Sequence, residues 1–336
     1  MLRPLLPCLL AATSSLPALL AQPFHFPTAN HALLTNGGGE AFFVGTPGKP
    51  WTTGAFGGVR TEGQQLHKGL DIRCLSRDQA GEPTDPVLAT AGGAVTYFNA
   101  DPTLSNYGRY VVLRHLVEGI EVYSLYGHLR EVRSGLQPGQ SVQAGEPIGV
   151  MGRSSNTGQR ISRERAHLHF ELGLRLSDRF TAWQRQAFPG QRNDHGEWNG
   201  RNLMAFDPAQ VFKEQASRGT NFSLLRMLRG QTELCRVLVR ATNFAWVRRY
   251  AAFMEPNPKA AQEGVAGYEL ALNFNGLAYR VIPRAASEIK RAAKFQLLSV
   301  NEAERQARPC GHLVTSRRGR WELSARGLQL LELLTY

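Results

Sequence analysis

From Gly69 onward, apolar and polar positions alternate in short runs broken by turn residues. The runs read GLDIRCL, DPVLATAGGAVTYFN, GRYVVLRHL, IEVYSLYGHL, GQSVQAGEPIGVMG and AHLHFELGLRL. Stretches of this length, rich in Val, Ile, Tyr and Thr and punctuated by Gly, predict antiparallel strands joined by hairpins. Segments with helical period are nearly absent between Leu66 and Leu176. Upstream, residues 37–63 are rich in Gly and Thr and read as loops and short strands leading up to a site.

After Leu176 the pattern changes. Residues 177–202 turn polar, and PGQRNDHGEWNGRN predicts a long loop or lid beside the site. DPAQVFKEQASRG then predicts a helix with Asp207 as its N-cap and Pro208 in its first position. Further on, LCRVLVRATNFAWVRRYAAF and GYELALNFNGLAYRVIP read as strands and RAASEIKRAAKFQLL as a helix. HLVTSRRGRWELSARGLQLLELL reads as a hairpin feeding a helix capped by Ser324. The expected fold class is mainly β: an antiparallel β-sheet domain with an open groove over 22–210, followed by a smaller α+β domain over 221–336.

The first 21 residues carry one charge, Arg3, and then an apolar run ending in small residues. This is the pattern of an export signal, with residues 1–21 removed near Ala21. Pro7 and Pro17 interrupt the run, which is short for a membrane span, and Pro7 before Cys8 argues against lipid attachment. The mature chain is thus expected in the periplasm or outside the cell, with no transmembrane segment.

Charge adds a partner. Residues 1–220 hold 21 Lys+Arg against 18 Asp+Glu, and residues 221–336 hold 18 against 9, so +9 of the formal +12 lies in the C-terminal third. Such a balance attracts polyanions, and for an exported chain these are anionic envelope polymers. The final hairpin, with Arg317, Arg318 and Arg320, has the look of a winged-helix wing, but an export signal excludes nucleic acid as its partner. The C-terminal region is expected either to dock the protein on an anionic surface or to pack on the N-terminal domain and close one end of the groove.

Three cysteines follow the leader: Cys74, Cys235 and Cys310. None has the CxxC spacing of a thiolate zinc site, and in an oxidising compartment Cys235 and Cys310 could pair. A metal would therefore be held by nitrogen and oxygen. His167 and His169 in AHLHFEL stand two apart and share one face of a strand. His67 and Asp71 in HKGLDI are four apart, and Gly69 between them disfavours a helix. Two histidines and one carboxylate are the ligand set of an open zinc site that keeps a position for water. His128 in LYGHL ends another strand, and Glu171 faces the same way as His169, either as a supporting partner behind it or exposed to solvent. His115 reads as structural, and His25, His31, His195 and His312 have no partner at ligand spacing.

HxxxD, then YGHL, then HLHFE, in that order and among the Gly-rich turns of GVRTEG and PGQSVQAGEPIGVMG, resembles the lysostaphin-type zinc endopeptidases of bacterial cell walls. The likeness covers residues 56–174. It implies an antiparallel scaffold with an open groove and hydrolysis of peptide bonds in peptidoglycan stems or cross-links. It also implies a zinc ion held by His67, Asp71 and His169, with His167 and His128 as the catalytic histidines. The turn GRSSNTGQRISRERAHLHFE is a few residues longer than the family pattern, which places an extended basic loop at the groove edge. A scaffold of the same fold that activates a cell-wall amidase is the alternative, and such scaffolds typically lose metal ligands.

Overall fold

The longest alternating run folds back on itself at Glu118 and Gly119. Both take left-handed φ values, 51° and 76°, as a two-residue hairpin turn requires. In the computed structural model, which describes residues 23–158 and 161–336, this hairpin is the centre of a seven-stranded antiparallel sheet. The export-signal segment lies outside the described residues.

In chain order the N-terminal strands are β1 (Gly57–Arg60), β2 (Gln65–His67), β3 (Leu70–Arg73), β4 (Pro86–Leu88), β5 (Gly93–Asn99) and β6 (Arg109–Val117). They are followed by β7 (Ile120–Leu129), β8 (Glu131–Val132), β9 (Ser141–Val142), β10 (Pro147–Val150), β11 (His167–Arg175) and β12 (Leu203–Phe206). The large sheet runs β12-β11-β7-β6-β5-β9, and β3 also pairs with β11. β11 thus has β7 along one edge, while β3 and β12 share the other, β3 beside residues 167–170 and β12 beside residues 172–175. Flanked on both sides, β11 is buried from His167 to Leu174. β4, β10 and β8 form a small second sheet, and β1 pairs with β2.

The 177–202 stretch is more structured than its composition predicts. It forms a helix over Phe180–Ala187 and two short 3-10 turns, because Phe180 and Trp183 bury themselves against the core. The helix Pro208–Arg218 begins as expected, with the Asp207 side chain accepting from the Ala209 N–H.

The C-terminal region contains β13 (Cys235–Val239), β14 (Gly267–Leu272), β15 (Ala278–Arg284) and β16 (Phe295–Val300), in the order β15-β14-β13-β16, and the hairpin β17 (Val314–Arg317) and β18 (Arg320–Leu323). Two expectations fail here. The strand read through residues 234–253 stops at Val239, and Ala245–Arg249 is a short helix followed by a 3-10 turn. Trp246, Tyr250 and Phe253 are all buried at i, i+4 and i+7, a helical period. The helix read over residues 284–298 is instead a 3-10 turn, a connection and β16, because β13 takes Phe295–Val300 as its second ladder partner. The final hairpin and the helix Ala325–Leu334, capped by Ser324, form as predicted.

Cys235 and Cys310 are not paired; both thiols are free and buried, as is Cys74. Cys235 sits in the middle of the C-terminal sheet, where burial pushes its thiol up to about 12. Cys310 packs under β1, where a Cβ on Gly58 would come within 2.7 Å of its Sγ.

The two regions share one buried core, which runs from Phe24 to Leu334. Polar ties reinforce it. The Glu118 carboxylate at the hairpin tip accepts from Ser223 Oγ at 2.7 Å and from the Leu224 N–H at 2.9 Å, capping the helix Leu224–Arg229. Tyr250 OH accepts from the Arg175 N–H at 2.7 Å, and Asn275 donates to Ala205 O at 2.6 Å.

Candidate metal centre

Strand register brings the candidate ligands together. His169 lies opposite Asp71 on β3 and opposite Gly127 on β7, so His128, the next residue, borders the same spot. His67 ends β2, and the turn at Lys68 and Gly69 carries the chain into β3. Gly69 is needed for space: a Cβ there would sit 2.5 Å from Phe170 O and 3.0 Å from both Glu171 Cγ and His169 Nε2. His128 takes a left-handed φ of 62°, rare for a residue with a side chain and costing on the order of 1–3 kcal/mol. Its N–H donates to Tyr107 O at 2.7 Å, which holds that conformation.

Three donor atoms converge. His67 Nε2 lies 3.1 Å from Asp71 Oδ1 and 3.2 Å from His169 Nδ1, and His169 Nδ1 lies 2.9 Å from Asp71 Oδ1. Tetrahedral ligands about 2.0–2.1 Å from a zinc ion stand roughly 3.3 Å apart. The donor set therefore fits one such ion with small adjustments. His167 Nε2 is 3.4 Å from Asp71 Oδ1, and the His128 ring centroid is 4.9 Å from that of His167. All five side chains singled out in the sequence meet in one place.

The outer nitrogens are anchored. Nδ1 of His67 donates to Ala55 O at 2.8 Å, Nδ1 of His128 to Ser154 O at 2.8 Å and Nδ1 of His167 to Arg165 O at 2.6 Å. Each neutral ring is thereby left with its Nε2 lone pair facing the site. His169 is reversed: Nε2 donates to Glu171 Oε1 at 2.9 Å and Nδ1 faces the other donors. A carboxylate behind a ligating imidazole fixes its orientation and raises its basicity. Glu171 is itself held by Tyr107 OH, which donates at 2.8 Å.

Electrostatics follow from burial and these partners. Burial alone would raise the Asp71 carboxyl, but His67 and His167 hold it well below the usual carboxylate range. Burial lowers His67 and, with His167 and His169, pushes His128 well below its ordinary value. Burial also opposes charge on His169, yet hydrogen bonds to Asp71 and Glu171 raise it to about 9. Glu171 is drawn down to about 2 against burial, chiefly by His169 and then Lys68.

Sequence reasoning missed two contributors. Arg60 donates to Asp71 Oδ2 at 2.7 Å, and Tyr107 supports Glu171; both reach the site through folding, with no spacing signal. His115 is structural, with Nδ1 donating to Gly92 O and Nε2 2.7 Å from Ser124 Oγ. His195 is buried between Tyr97 OH and Leu104 O, His312 bonds Gln64 O, and His31 packs on Phe26. The centre opens onto a groove of 610 Å³, whose walls include Arg60, Tyr107 and, from the long turn before β11, Ser155, Gly158 and Arg165.

Residues 65–179 match the family model of Peptidase family M23. A lipoprotein NlpD/LppB homolog of Pseudomonas aeruginosa is 37% identical over 108 residues, which are 32% of this chain and 29% of that protein; the chain thus spans less than a third of that relative's length. The catalytic domain of lysostaphin from Staphylococcus simulans is 17% identical, covering 51% of this chain and 88% of that one, with a TM-score of 0.28. A zinc-containing peptidase from Vibrio cholerae is 24% identical over 39% of this chain and 35% of that one, with a TM-score of 0.27. The HxxxD, YGHL and HLHFE motifs all fall inside the matched segment, so it is over residues 65–179 that this chain is similar to Peptidase family M23.

Proposed function

We propose that the protein is an exported zinc-dependent endopeptidase that hydrolyses peptide bonds in peptidoglycan stems or cross-links. The observation that carries the reading is the cluster of His67 Nε2, Asp71 Oδ1 and His169 Nδ1, each within 3.2 Å of the other two. His67, Asp71 and His169 are the proposed metal ligands. Zinc bound there would supply Lewis-acid polarisation of the scissile carbonyl and a water of lowered pKa.

The chain's own groups supply proton transfer. His167, with its Nδ1 proton committed to Arg165 O, offers Nε2 as the general base that takes a proton from the attacking water. His128 also presents a lone pair, so it can donate to a developing oxyanion only after gaining a second proton, which its burial opposes. Its proposed part is to stabilise that oxyanion, taking up the second proton as negative charge develops beside it. The rival reading, a scaffold that activates an amidase, is disfavoured because none of the three ligands is missing.

The same proposal puts the protein in the cell envelope. The C-terminal region carries +9 of the formal charge, and Arg318 and Arg320 are exposed on the β17–β18 hairpin, so an anionic envelope polymer is its proposed partner. Among the described residues no helix is long and apolar enough to cross a membrane. The test is digestion of purified sacculi followed by mass analysis of released muropeptides. New peptide termini that disappear with His169→Ala support the reading, and intact sacculi refute it.

A further inference from the structure

The groove has a neighbour. On the other side of Tyr107 lies a cavity of 420 Å³, and Asn106 and Tyr107 line both. Its floor is fixed by Lys68, whose Nζ donates to Gly200 O at 2.6 Å and to Leu203 O at 2.8 Å. Gly200 packs so close that a Cβ there would lie 2.6 Å from Tyr107 OH. The outer wall comes from Gln184, Arg192, Asp194 and Arg201, which lie beyond the family match ending at 179. The cavity thus joins residues inside the family match, Lys68 and Tyr107 among them, to a wall built outside it.

The wall has a definite chemistry. The wall holds two guanidinium groups and one carboxylate, and that carboxylate, Asp194, already pairs with Arg192 at 2.7 Å. Arg201 lies over the Phe188 ring, 5.2 Å from its centroid, with no carboxylate partner among the described residues. Gln184 is buried, and its Oε1 has no hydrogen-bond partner. The wall thus offers a planar cationic fork suited to a carboxylate and an acceptor suited to an N–H.

We propose that this cavity binds a carboxylate-bearing arm of a peptide, with Arg201 pairing the carboxylate and Gln184 accepting an amide N–H. That the peptide is an arm of the substrate rests on the peptidase reading; the binding itself does not. A chain lying in the groove can pass Tyr107 and place a side branch or terminus in the cavity, which would favour substrates with a free carboxylate.

The test is a ligand-observed NMR titration of the full chain with N-acetyl-Ala-Ala-Ala as the free acid and as its carboxamide, with chelator present so that no bond is cut. The free acid should bind about five-fold more tightly or better, and Arg201→Gln should bring the two within about two-fold. Arg201 is exposed, so the variant should keep the wild-type circular dichroism; Arg192→Gln, alone and combined with it, gives a second reading. Equal affinities in the wild type overturn the proposal. So does a preference that survives both substitutions, which would assign the carboxylate to Arg60 and Arg165 in the groove. Sacculus digestion reports separately: a charge-selective cavity on an inactive chain overturns only the hydrolase reading, and an active chain with equal affinities overturns only the cavity.

Discussion

Asp71 and His169 are directly paired across the β3–β11 ladder, and His169 Nδ1 lies 2.9 Å from Asp71 Oδ1. Strand side chains alternate faces, so a slip of one residue would turn one of the pair away from the site. The centre is therefore fixed by backbone pairing at the heart of the sheet, and Glu171 continues the same face two residues on.

This arrangement sets the expected metal content. The mature protein should hold one zinc per chain, and His169→Ala should lose nearly all of it, because two remaining donors cannot fix the geometry. Glu171→Ala should weaken zinc about 10–100-fold, as expected when the partner behind a ligating imidazole is lost. Elemental analysis after dialysis reads both, and stoichiometric zinc in His169→Ala would sink the assignment.

Metal uptake should depend on pH. Without metal, Asp71 and Glu171 hold a proton on His169 up to a pKa of about 9. A ligand must give up that proton, so apparent affinity should rise about ten-fold per pH unit below 9 and level off above it. Competition against a chromophoric chelator at about pH 6, 7 and 8, one unit apart, measures the slope. A flat profile would mean that the proton is not on His169.

Turnover should separate from metal binding at the two other histidines. His167→Ala is expected to keep zinc and lose about 10²-fold or more in kcat, the scale of a missing general base. His128→Ala should fall by a similar factor. Activity near wild type with zinc bound would make either residue a bystander.

Acid should destabilise the fold through His115. Burial lowers this histidine from 6.5 to about 4, so the folded state favours its neutral form. The stability this adds is complete above 6.5 and is lost as pH falls from 6.5 towards 4, since the unfolded chain binds the proton first. The loss between pH 7 and 4.5 should be about 2 kcal/mol, taken as an upper bound. Urea midpoints at the two pH values should differ less in His115→Asn than in the wild type; an unchanged difference would remove His115 from the account.

What could be read from the sequence was local. Asp207 and Pro208 announce their helix within two residues, and the spacing of His67 and Asp71 and of His167 and His169 announces two half-sites. Long-range pairing supplies the rest. Arg60 reaches Asp71, and Tyr107 reaches Glu171 from 64 residues away, through strand order that no local period encodes. The Ala- and Lys-rich stretch after Arg284 carries helix propensity that the free edge of β13 overrides. Trp246, Tyr250 and Phe253 carry the opposite lesson: their helical period was legible, and the apolar run before them masked it.

The last prediction concerns removal of the C-terminal region. If its charge only docks the protein on an envelope surface, a chain ending after Arg218 should hydrolyse a soluble peptide as fast as the whole. The packing argues otherwise. That cut would leave Glu118 without the helix it caps, Ala205 O without Asn275 and the Arg175 N–H without Tyr250 OH. It would also uncover the part of the shared core now covered by the C-terminal region. Each orphaned buried group costs about 1–3 kcal/mol, a large share of the 5–15 kcal/mol that holds a domain together. The truncated chain is therefore expected to aggregate or to be cleaved rapidly by added protease. Glu118→Ala in the full chain, a milder cut through the same interface, should lower the melting temperature by several degrees while leaving zinc content unchanged. A truncated chain that stays monomeric and keeps full peptide hydrolysis would restore the docking view and make the contacts at Glu118 dispensable.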